Sequence, residues 1–335
     1  MESALVSILI PFKNTSEYLN ECLSSILNQS YTHWEVISVD DHSKDESLEI
    51  VEEFSRKDSR IKVLFNSGKG VIAALRTAYA ESRGTLITRM DSDDMMTPNR
   101  LETMVVSLKK NGSGHVAVGQ VKYFSSRGIS NGYDRYEKWL NKLTAEGKNY
   151  DEIYKECVIP SPCWMVHRTD FENCGGFQPD RYPEDYDLTF RFYEKGLNVI
   201  PCEQVLLLWR DYDYRTSRTS ELYAQNYFLD IKLHYFLKLD YVHTRPLVVW
   251  GAGNKGKKIA KSILKKGIDF EWICDNPNKI GKNIYGKEML SFQVLETMEN
   301  SQSIITVANE NAQREIRSYF QKKDMFHMAD YFFFC

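Results

Sequence analysis

The sequence has no long apolar run and almost no excess of charge. Its longest apolar stretches, Leu5–Ile10 and Val205–Trp209, fall far short of the roughly 18–20 residues that a bilayer-spanning helix needs. The formal net charge is −3, from 43 Lys and Arg residues against 46 Asp and Glu residues. No basic excess is present to attract phosphate backbones. The sequence therefore predicts no membrane span and no nucleic-acid partner.

The sequence also lacks paired cysteines, and its first residues predict no secretory signal. Its seven cysteines are odd in number, scattered and never in a C-x-x-C spacing, which argues against a structural zinc site and for reduced thiols. The N-terminus, Met1-Glu2-Ser3, has no basic region ahead of its apolar stretch. We predict a cytoplasmic protein. Peripheral attachment to the inner face of the cytoplasmic membrane and assembly into a homo-oligomer stay open.

Apolar runs and helical patterns alternate along the first part of the chain. Leu5–Ile10, Trp34–Val39 and Ile61–Phe65 each precede a segment with apolar residues at helical spacing. This alternation predicts parallel β-α-β units in an α/β doubly wound sheet. A helical stripe follows, and Arg245-Pro246 breaks the chain before a second, smaller β-α-β pattern. We predict a main domain over residues 1–220, a helical linker over 221–244 and a small domain over 245–335.

Polar residues follow the predicted strands of the main domain. The strand ends read Pro11-Phe12-Lys13-Asn14, Asp40-Asp41-His42-Ser43, Asn66-Ser67-Gly68-Lys69-Gly70 and Asp91-Ser92-Asp93-Asp94. Ligands of open α/β sheets bind beyond the carboxyl ends of the strands. Five acidic residues converging there predict a hard divalent cation, Mn²⁺ or Mg²⁺, that carries substrate phosphates. Helix capping is the alternative for each acidic pair taken alone.

Several ordered motifs resemble family 2 inverting glycosyltransferases with the A-type fold. They are Val6–Asn14, Ser24–Tyr31, Val39–Ser43 and the stretch from Gly84 to Asp94, followed by Pro98 and Leu101. The resemblance covers about residues 5–235. It implies a doubly wound mixed sheet that binds a nucleotide sugar, most often a uridine diphosphate (UDP) sugar.

The resemblance also implies roles for individual residues. Pro11 and Asp41 match the positions that hold the base, Asp91 the position near the ribose and diphosphate, and Asp93 the metal ligand, to which we add Asp91. The predicted donor site further includes Phe12, Lys69, Arg76 and Ser92.

The stretch Pro183–Leu188 opens a predicted helix and resembles the E-D motif of the same family. An inverting transfer is a single displacement in which one carboxylate takes the proton of the acceptor hydroxyl. The resemblance implies that Asp185 is this base and that Glu184 orients it or the acceptor, with Asp187 as the fallback. A carboxylate at a helix start is otherwise a partner of the helix dipole.

The stretch Trp209–Arg218 resembles a W-R-D…R-x-S-R variant of some bacterial members, which replaces a downstream histidine. Arg215 or Arg218 would then supply positive charge near the diphosphate, since arginine binds phosphate in a bidentate manner. A solvated charged loop is the alternative. We predict Trp164, Trp209 and Arg210 on the acceptor side, although core packing is the favoured alternative for the two tryptophans.

The small domain carries a dinucleotide-binding pattern. The predicted strand Pro246–Trp250 is followed by Gly251-Ala252-Gly253-Asn254-Lys255-Gly256 and a helix, and Asp275 ends the next strand, 19 residues after Gly256. Strand, G-x-G-x-x-G, helix and a later acid are the context of a Rossmann-like fold. We predict a nucleotide resembling NAD at Gly251, Gly253, Gly256 and Asp275. Tight helix–strand packing is the alternative explanation of the glycines.

Together these features predict a metal-dependent inverting glycosyltransferase that moves a sugar from a UDP-sugar donor to a saccharide or glycolipid acceptor in surface polysaccharide synthesis. Two alternatives remain. One is an NAD-binding oxidoreductase or redox sensor with the N-terminal part as a scaffold. The other is a sugar nucleotidyltransferase, although Pro11–Asn14 contains no glycine of the loop that such an enzyme requires.

Overall fold

The chain consists of two compact units. A computed structural model describes residues 3–215, residue 218 and residues 228–335. The first unit runs to Tyr150 and resumes over Cys157–Arg215, and the second contains Asp151–Glu156 and the described residues after Arg215. The helix Phe228–Leu239, which lies in the stretch predicted as a linker, therefore belongs to the second unit.

The first unit is an eight-stranded sheet with seven helices among the described residues. Its strands are β1 Val6–Phe12, β2 Trp34–Asp40, β3 Ile61–Phe65, β4 Leu86–Arg89, β5 Met95–Met96, β6 His115–Phe124, β7 Trp164–His167 and β8 Asn198–Arg210. Its helices are α1 Ser16–Leu27, α2 Ser47–Lys57, α3 Val71–Ala80, α4 Arg100–Asn111, α5 Asn131–Glu146, α6 Arg168–Asn173 and α7 Glu184–Glu194.

The sheet is parallel where the sequence alternates and mixed beyond that part. The strand order is β3-β2-β1-β4-β7-β6-β8-β5. The pairs from β3 to β4 are parallel, whereas β7 is antiparallel to both β4 and β6. The predicted α/β fold with a mixed sheet is confirmed.

Strand β1 is buried on both faces because helices cover both sides of the sheet. Its side chains alternate between two apolar clusters, with Ile8 and Ile10 in one and Leu9 in the other. Helix α1 contributes Leu19 to the first cluster and α3 contributes Leu75 to the second. Alternation with a period of two residues is what a strand between two apolar layers requires. The polar ends of the strands are thus held at one edge of a rigid sheet.

The second unit has its own sheet. Its elements are α8 Phe228–Leu239, β9 Leu247–Trp250, α9 Asn254–Lys265, β10 Glu271–Cys274, β11 Asn283–Ile284, β12 Lys287–Ser291, β13 Gln302–Ile305, α10 Glu310–Gln321 and β14 Tyr331–Phe333. The strand order is β11-β12-β10-β9-β13-β14, and every pair except β11 with β12 is parallel. Within the described ranges, no helix is long and apolar enough to cross a membrane.

Candidate active site

An acidic loop, defined here as Asp91–Asp94, follows β4 at the carboxyl edge of the first sheet. Asp93 is held by the hydroxyl of Tyr212, which donates to its Oδ2 atom at 2.9 Å. Burial, followed by the charge of Asp91, raises the pKa of Asp93. Asp94 is fully buried, and its Oδ1 accepts the backbone N–H of Arg210 at 2.8 Å while its Oδ2 has no hydrogen-bond partner. The loop thus places acidic side chains where an ionised carboxylate is poorly solvated.

The donor set of this loop fits a hard divalent cation. Two carboxylates, Asp91 and Asp93, lie close enough for the charge of one to raise the pKa of the other, and a cation would remove this repulsion. The part of the chain that the structure describes contains no group of three or more His, Cys, Asp or Glu side chains arranged to hold a metal. A Mg²⁺-type ion commonly takes only one or two protein carboxylates, with the remaining ligands from water and phosphate.

Arg89, the last residue of β4, connects the acidic loop to the start of α7. Its Nη1 atom donates to Glu184 Oε1 at 2.7 Å, and its Nε atom donates to Asp91 Oδ1 at 3.0 Å. Burial by itself would lower the pKa of Arg89, but the charges of Asp91 and Glu184 outweigh it and raise the pKa. A buried guanidinium between two carboxylates has a fixed geometry. The D-x-D and E-D motifs therefore meet in one ion-pair network.

Sequence analysis did not identify Arg89. The available signal was an arginine at the last position of an otherwise apolar strand, directly before the acidic loop. A charge at such a position needs a partner, but only the fold reveals that Glu184, 95 residues later, provides it.

The surroundings of Asp185 raise its proton affinity above that of an ordinary aspartate. It is half-buried in the first turn of α7 and accepts the backbone N–H of Tyr186 at 2.8 Å. Burial, and next the charge of Glu184, raise the pKa of Asp185 to about 7, against the opposing charge of Arg89. A base with a pKa near the working pH is both ionised and strong enough to accept a proton.

The fallback residue, Asp187, is placed differently. It is 1% exposed, and its two carboxylate oxygens accept from Arg181 at 3.1 Å and from Arg191 at 2.8 Å. Arg191 also donates to the carbonyl oxygens of Cys174 and Gly176. Asp187 is therefore committed to holding the preceding loop, which leaves Asp185 as the better candidate.

Asp41 lies at the end of β2 in a ring of donors. Its Oδ1 atom accepts from the Asn66 amide at 2.7 Å and from the Gly70 backbone N–H at 2.9 Å, and Lys13 contacts its Oδ2 at 3.3 Å. Burial would raise the pKa of Asp41, but these hydrogen bonds outweigh it and hold the pKa below its usual value. Asp41 is thus an ionised acceptor at neutral pH. Asn66 and Lys13 are partners of Asp41 to which sequence analysis gave no role.

The other predicted donor-binding residues differ in how far they are exposed at the carboxyl edge of the sheet. Pro11 is half-buried at the end of β1, and Phe12 is buried in the core. Ser92 is buried and accepts a hydrogen bond from the Thr15 hydroxyl at 3.0 Å. Lys69 is exposed in the loop before α3. Of these residues, Pro11 and Lys69 present surface at the strand edge, whereas Phe12 and Ser92 support it.

Arg76 fixes the loop that precedes α7. Its Nε atom donates to the carbonyl oxygen of Phe177 at 2.8 Å, and its Nη2 atom donates to that of Gln178 at 2.6 Å. Asp180 lies 3.5 Å from the same guanidinium. Arg76 was predicted to bind the donor, but in the structure its guanidinium holds this loop.

The segment after β8 lies against the acidic loop. The side chain of Arg210 donates from Nε to the carbonyl oxygen of Asp93 at 2.8 Å and also pairs with Glu21. The Arg215 guanidinium stands 4.9 Å from the Trp209 ring, and nearby carboxylates, Asp94 foremost, raise its pKa against the effect of burial. Arg210, predicted on the acceptor side, thus anchors the acidic loop. Arg218 is exposed, and its neighbours in sequence lie outside the described residues.

The two predicted acceptor tryptophans are packing residues in this structure. Trp164 is 2% exposed and contacts Phe171 and Phe192, with ring centroids 6.0 and 5.8 Å away. Trp209 is 8% exposed and stacks on Tyr123 at 4.9 Å. Both rings are covered by neighbouring side chains, which favours the packing alternative over a stacking platform for a sugar.

The residues predicted for a second nucleotide lie in the second unit. Gly251, Gly253 and Asp275 line one cavity, and Gly256 is buried in the first turn of α9.

Comparison with known proteins identifies the family of the chain. Residues 7–175 match the model of glycosyl transferase family 2. Glycosyltransferase GlyG of Streptococcus pneumoniae is 37% identical over 219 residues, covering 62% of this chain and 71% of GlyG. The Escherichia coli UDP-Glc:alpha-D-GlcNAc-diphosphoundecaprenol beta-1,3-glucosyltransferase WfgD is 30% identical over 245 residues, covering 72% and 88% of the two chains.

The fold is also similar to a solved structure. The crystal structure of Staphylococcus aureus TarS in complex with UDP-GlcNAc has a TM-score of 0.56 and 18% sequence identity, over 77% of this chain and 71% of that chain. At this identity the similarity concerns the fold alone. The match of the family model to half of the chain, together with the WfgD alignment, shows that the chain belongs to glycosyl transferase family 2.

Proposed function

We propose that this chain transfers a sugar from a UDP-sugar to a hydroxyl group of a saccharide or lipid-linked saccharide, with inversion at the anomeric carbon. The observation that carries the proposal is the Arg89 bridge, because it joins the carboxylate Asp91 to the helix turn of Asp185. A carboxylate beside the sugar donor and a general base would then act next to each other at the same edge of the sheet. Family membership sets aside an oxidoreductase or a nucleotidyltransferase as the function of the first unit.

The donor base would bind beside Asp41. Uracil has an imide N–H that an ionised carboxylate accepts, and the lowered pKa of Asp41 keeps this carboxylate ionised. Its ring of donors, Asn66, Gly70 and Lys13, fixes its orientation. Pro11 would form one wall of the same pocket.

The diphosphate would lie over the acidic loop. Asp91 and Asp93 would hold Mn²⁺ or Mg²⁺, which supplies positive charge to the leaving diphosphate. Asp91 keeps its orientation through Arg89, and Asp93 through Tyr212. Arg215, whose charge is felt by Asp93 and Asp94, would face the same phosphates.

Asp185 would take the proton from the acceptor hydroxyl as its oxygen bonds to the anomeric carbon. The bond from that carbon to the diphosphate oxygen breaks in the same step, and the proton remains on the Asp185 carboxylate. Glu184 would orient the site through Arg89, because its carboxylate is already bound there.

The acceptor class is supported by the relatives. The name of WfgD specifies a sugar on diphosphoundecaprenol, a lipid-linked saccharide. We extend this class of acceptor to the present chain, which would then work in surface polysaccharide synthesis at the inner face of the cytoplasmic membrane.

Donor turnover by purified protein tests this proposal. The protein would be incubated with a panel of nucleotide sugars and a lipid-linked saccharide, in Mn²⁺, in Mg²⁺ or in EDTA, and release of the nucleotide diphosphate measured. We expect a UDP-sugar to be consumed only with metal and acceptor. Asp185→Asn should keep UDP binding and lose transfer by about 10²- to 10⁴-fold, since amide cannot accept the proton.

Two further variants complete the test. Asp93→Asn should lose metal-dependent UDP binding, whereas Asp134→Asn, which removes an exposed carboxylate on α5, should behave as wild type. Transfer by Asp185→Asn at the wild-type rate would reject the base. UDP binding by Asp93→Asn that still depends on metal would reject the metal site.

A further inference from the structure

The second unit contains a cavity of about 390 Å³ at the carboxyl ends of three parallel strands. It is lined by Gly251–Lys255 after β9, by Cys274–Asn276 at the end of β10, by Thr306–Asn309 after β13 and by Lys279. Small-molecule sites in proteins span about 300 to 1,000 Å³. The cavity is therefore large enough for a nucleotide-sized ligand, and it belongs wholly to the second unit.

The position of this cavity in the sheet is the one where open α/β sheets bind ligands. The parallel strands run in the order β12-β10-β9-β13-β14, so the chain leaves β9 in one direction for β10 and β12, and returns on its other side for β13 and β14. The crevice beyond β9 and β13 is the switch point of such a sheet, where helices on the two sides leave a gap.

The three glycines of the turn have different reasons to be glycine. Gly251 has a φ of +128°, and a Cβ atom there would meet Thr306 Oγ1 at 2.4 Å. A Cβ atom on Gly256 would stand 2.1 Å from the carbonyl oxygen of Gly251. Packing therefore explains these two. A Cβ atom on Gly253 would meet nothing within 4 Å, and its backbone is extended, so neither packing nor conformation requires glycine there.

Gly253 borders the cavity and is the N-cap residue directly before α9, so no side chain caps the first turn of this helix. The first N–H groups of a helix have no partner within the helix, and they bind phosphate readily when a glycine lets the ligand approach. Lys279 stands at the same loop, with its Nζ atom 2.9 Å from the carbonyl oxygen of Ala252. Asp275 also lines the cavity, and a carboxylate in this position can accept hydrogen bonds from ribose hydroxyls.

We propose that this cavity is a second nucleotide site, which takes the diphosphate of a nucleoside diphosphate at Gly253, Asn254 and Lys279 and a ribose hydroxyl at Asp275. The site is separate from the donor site of the first unit, and it needs no metal. The ligand is either an adenine nucleotide such as ADP or NAD, or a uridine nucleotide such as UDP.

Calorimetric titration of the full-length protein in EDTA tests this site, because donor binding in the first unit is proposed to require metal. The probes are UDP, ADP, NAD and inorganic pyrophosphate. We expect one nucleoside diphosphate to bind with a Kd below about 1 mM. Binding by ADP or NAD identifies an adenine site, and binding by UDP identifies a uridine site.

Three variants test the assigned residues. Gly253→Val places a side chain at the border of the cavity, where a Cβ atom meets nothing within 4 Å, and should weaken nucleotide binding at least tenfold, with the melting temperature measured in parallel to report on folding. Lys279→Met should weaken nucleotide and pyrophosphate binding alike. Asp275→Asn should weaken nucleotide binding only, since pyrophosphate has no ribose.

Two controls complete the experiment. Lys282→Met removes a lysine outside the cavity, and Gly132→Val adds a side chain at another uncrowded glycine, in the first unit. Both should bind as wild type. The proposal is overturned if no nucleotide binds in EDTA, or if binding survives unchanged in Gly253→Val and Lys279→Met.

Discussion

The rate of sugar transfer should fall on the acid side of neutrality, because Asp185 must be ionised to take the acceptor proton. Burial and the neighbouring Glu184 raise its pKa to about 7. Below that pH the ionised fraction falls about tenfold for each pH unit, so at about pH 5 only ~1% of the enzyme carries an active base and kcat/KM should be ~100-fold below its plateau. An aspartate with the ordinary pKa of about 3.9 would give a nearly flat profile over the same range.

Glu184→Gln tests the cause of this limb. The substitution removes the carboxylate charge that, after burial, raises the pKa of Asp185, and it keeps a side-chain oxygen that can accept the hydrogen bond from Arg89. The acid limb should therefore move to lower pH, by on the order of one unit. Glu203→Gln removes an exposed carboxylate on β8 and should leave the limb in place.

The assay is acceptor-dependent release of UDP between about pH 5 and pH 9 at constant ionic strength, because screening changes such charge effects. UDP binding, measured at each pH, separates loss of donor affinity from loss of the base. A flat profile over this range refutes the assignment of Asp185. An acid limb that stays in place in Glu184→Gln refutes the contribution of the Glu184 charge to the raised pKa of Asp185.

Three further outcomes follow from the same structure. Asp93→Asn should raise the melting temperature of the metal-free protein at neutral pH. A carboxyl whose pKa is raised in the folded state lowers stability once the pH exceeds its pKa in the unfolded state, and the amide removes this cost. The gain should shrink toward about pH 4, and equal gains at both pH values would contradict the argument. Arg89→Lys keeps the charge but cannot bridge two carboxylates, so transfer should fall at least about tenfold, and a wild-type rate would count against the bridge. A protein truncated to residues 1–244 loses Phe334, whose ring stacks on Tyr154 with the centroids 5.4 Å apart. The apolar surface exposed in this way should make the product insoluble or able to bind hydrophobic dyes, and a soluble, well-folded product would contradict this expectation.

The alternation of strands and helices and the acidic strand ends could be predicted from the sequence because they are local. A buried strand needs a run such as Leu5–Ile10, and the alternation of such runs with helical patterns predicts parallel strands. The acidic loop directly follows a predicted strand, and the E-D pair opens a predicted helix. The antiparallel β7 was not predicted, because its short run carries no mark of strand direction.

The choice among equivalent side chains depended on the tertiary structure. Asp185 and Asp187 are two residues apart, and only the arginines around Asp187 show that its carboxylate is already bound. Trp164 could be assigned to the core only after Phe171 and Phe192 were placed against it.

Gly253 and Gly256 look alike in the motif, yet the carbonyl oxygen of Gly251 crowds only one of them. The Arg89 bridge spans 95 residues of sequence. Sequence therefore determined the elements and the kinds of groups at their ends, since these depend on neighbours along the chain. Structure determined which groups are ionised, paired or open, since charge and packing act through space.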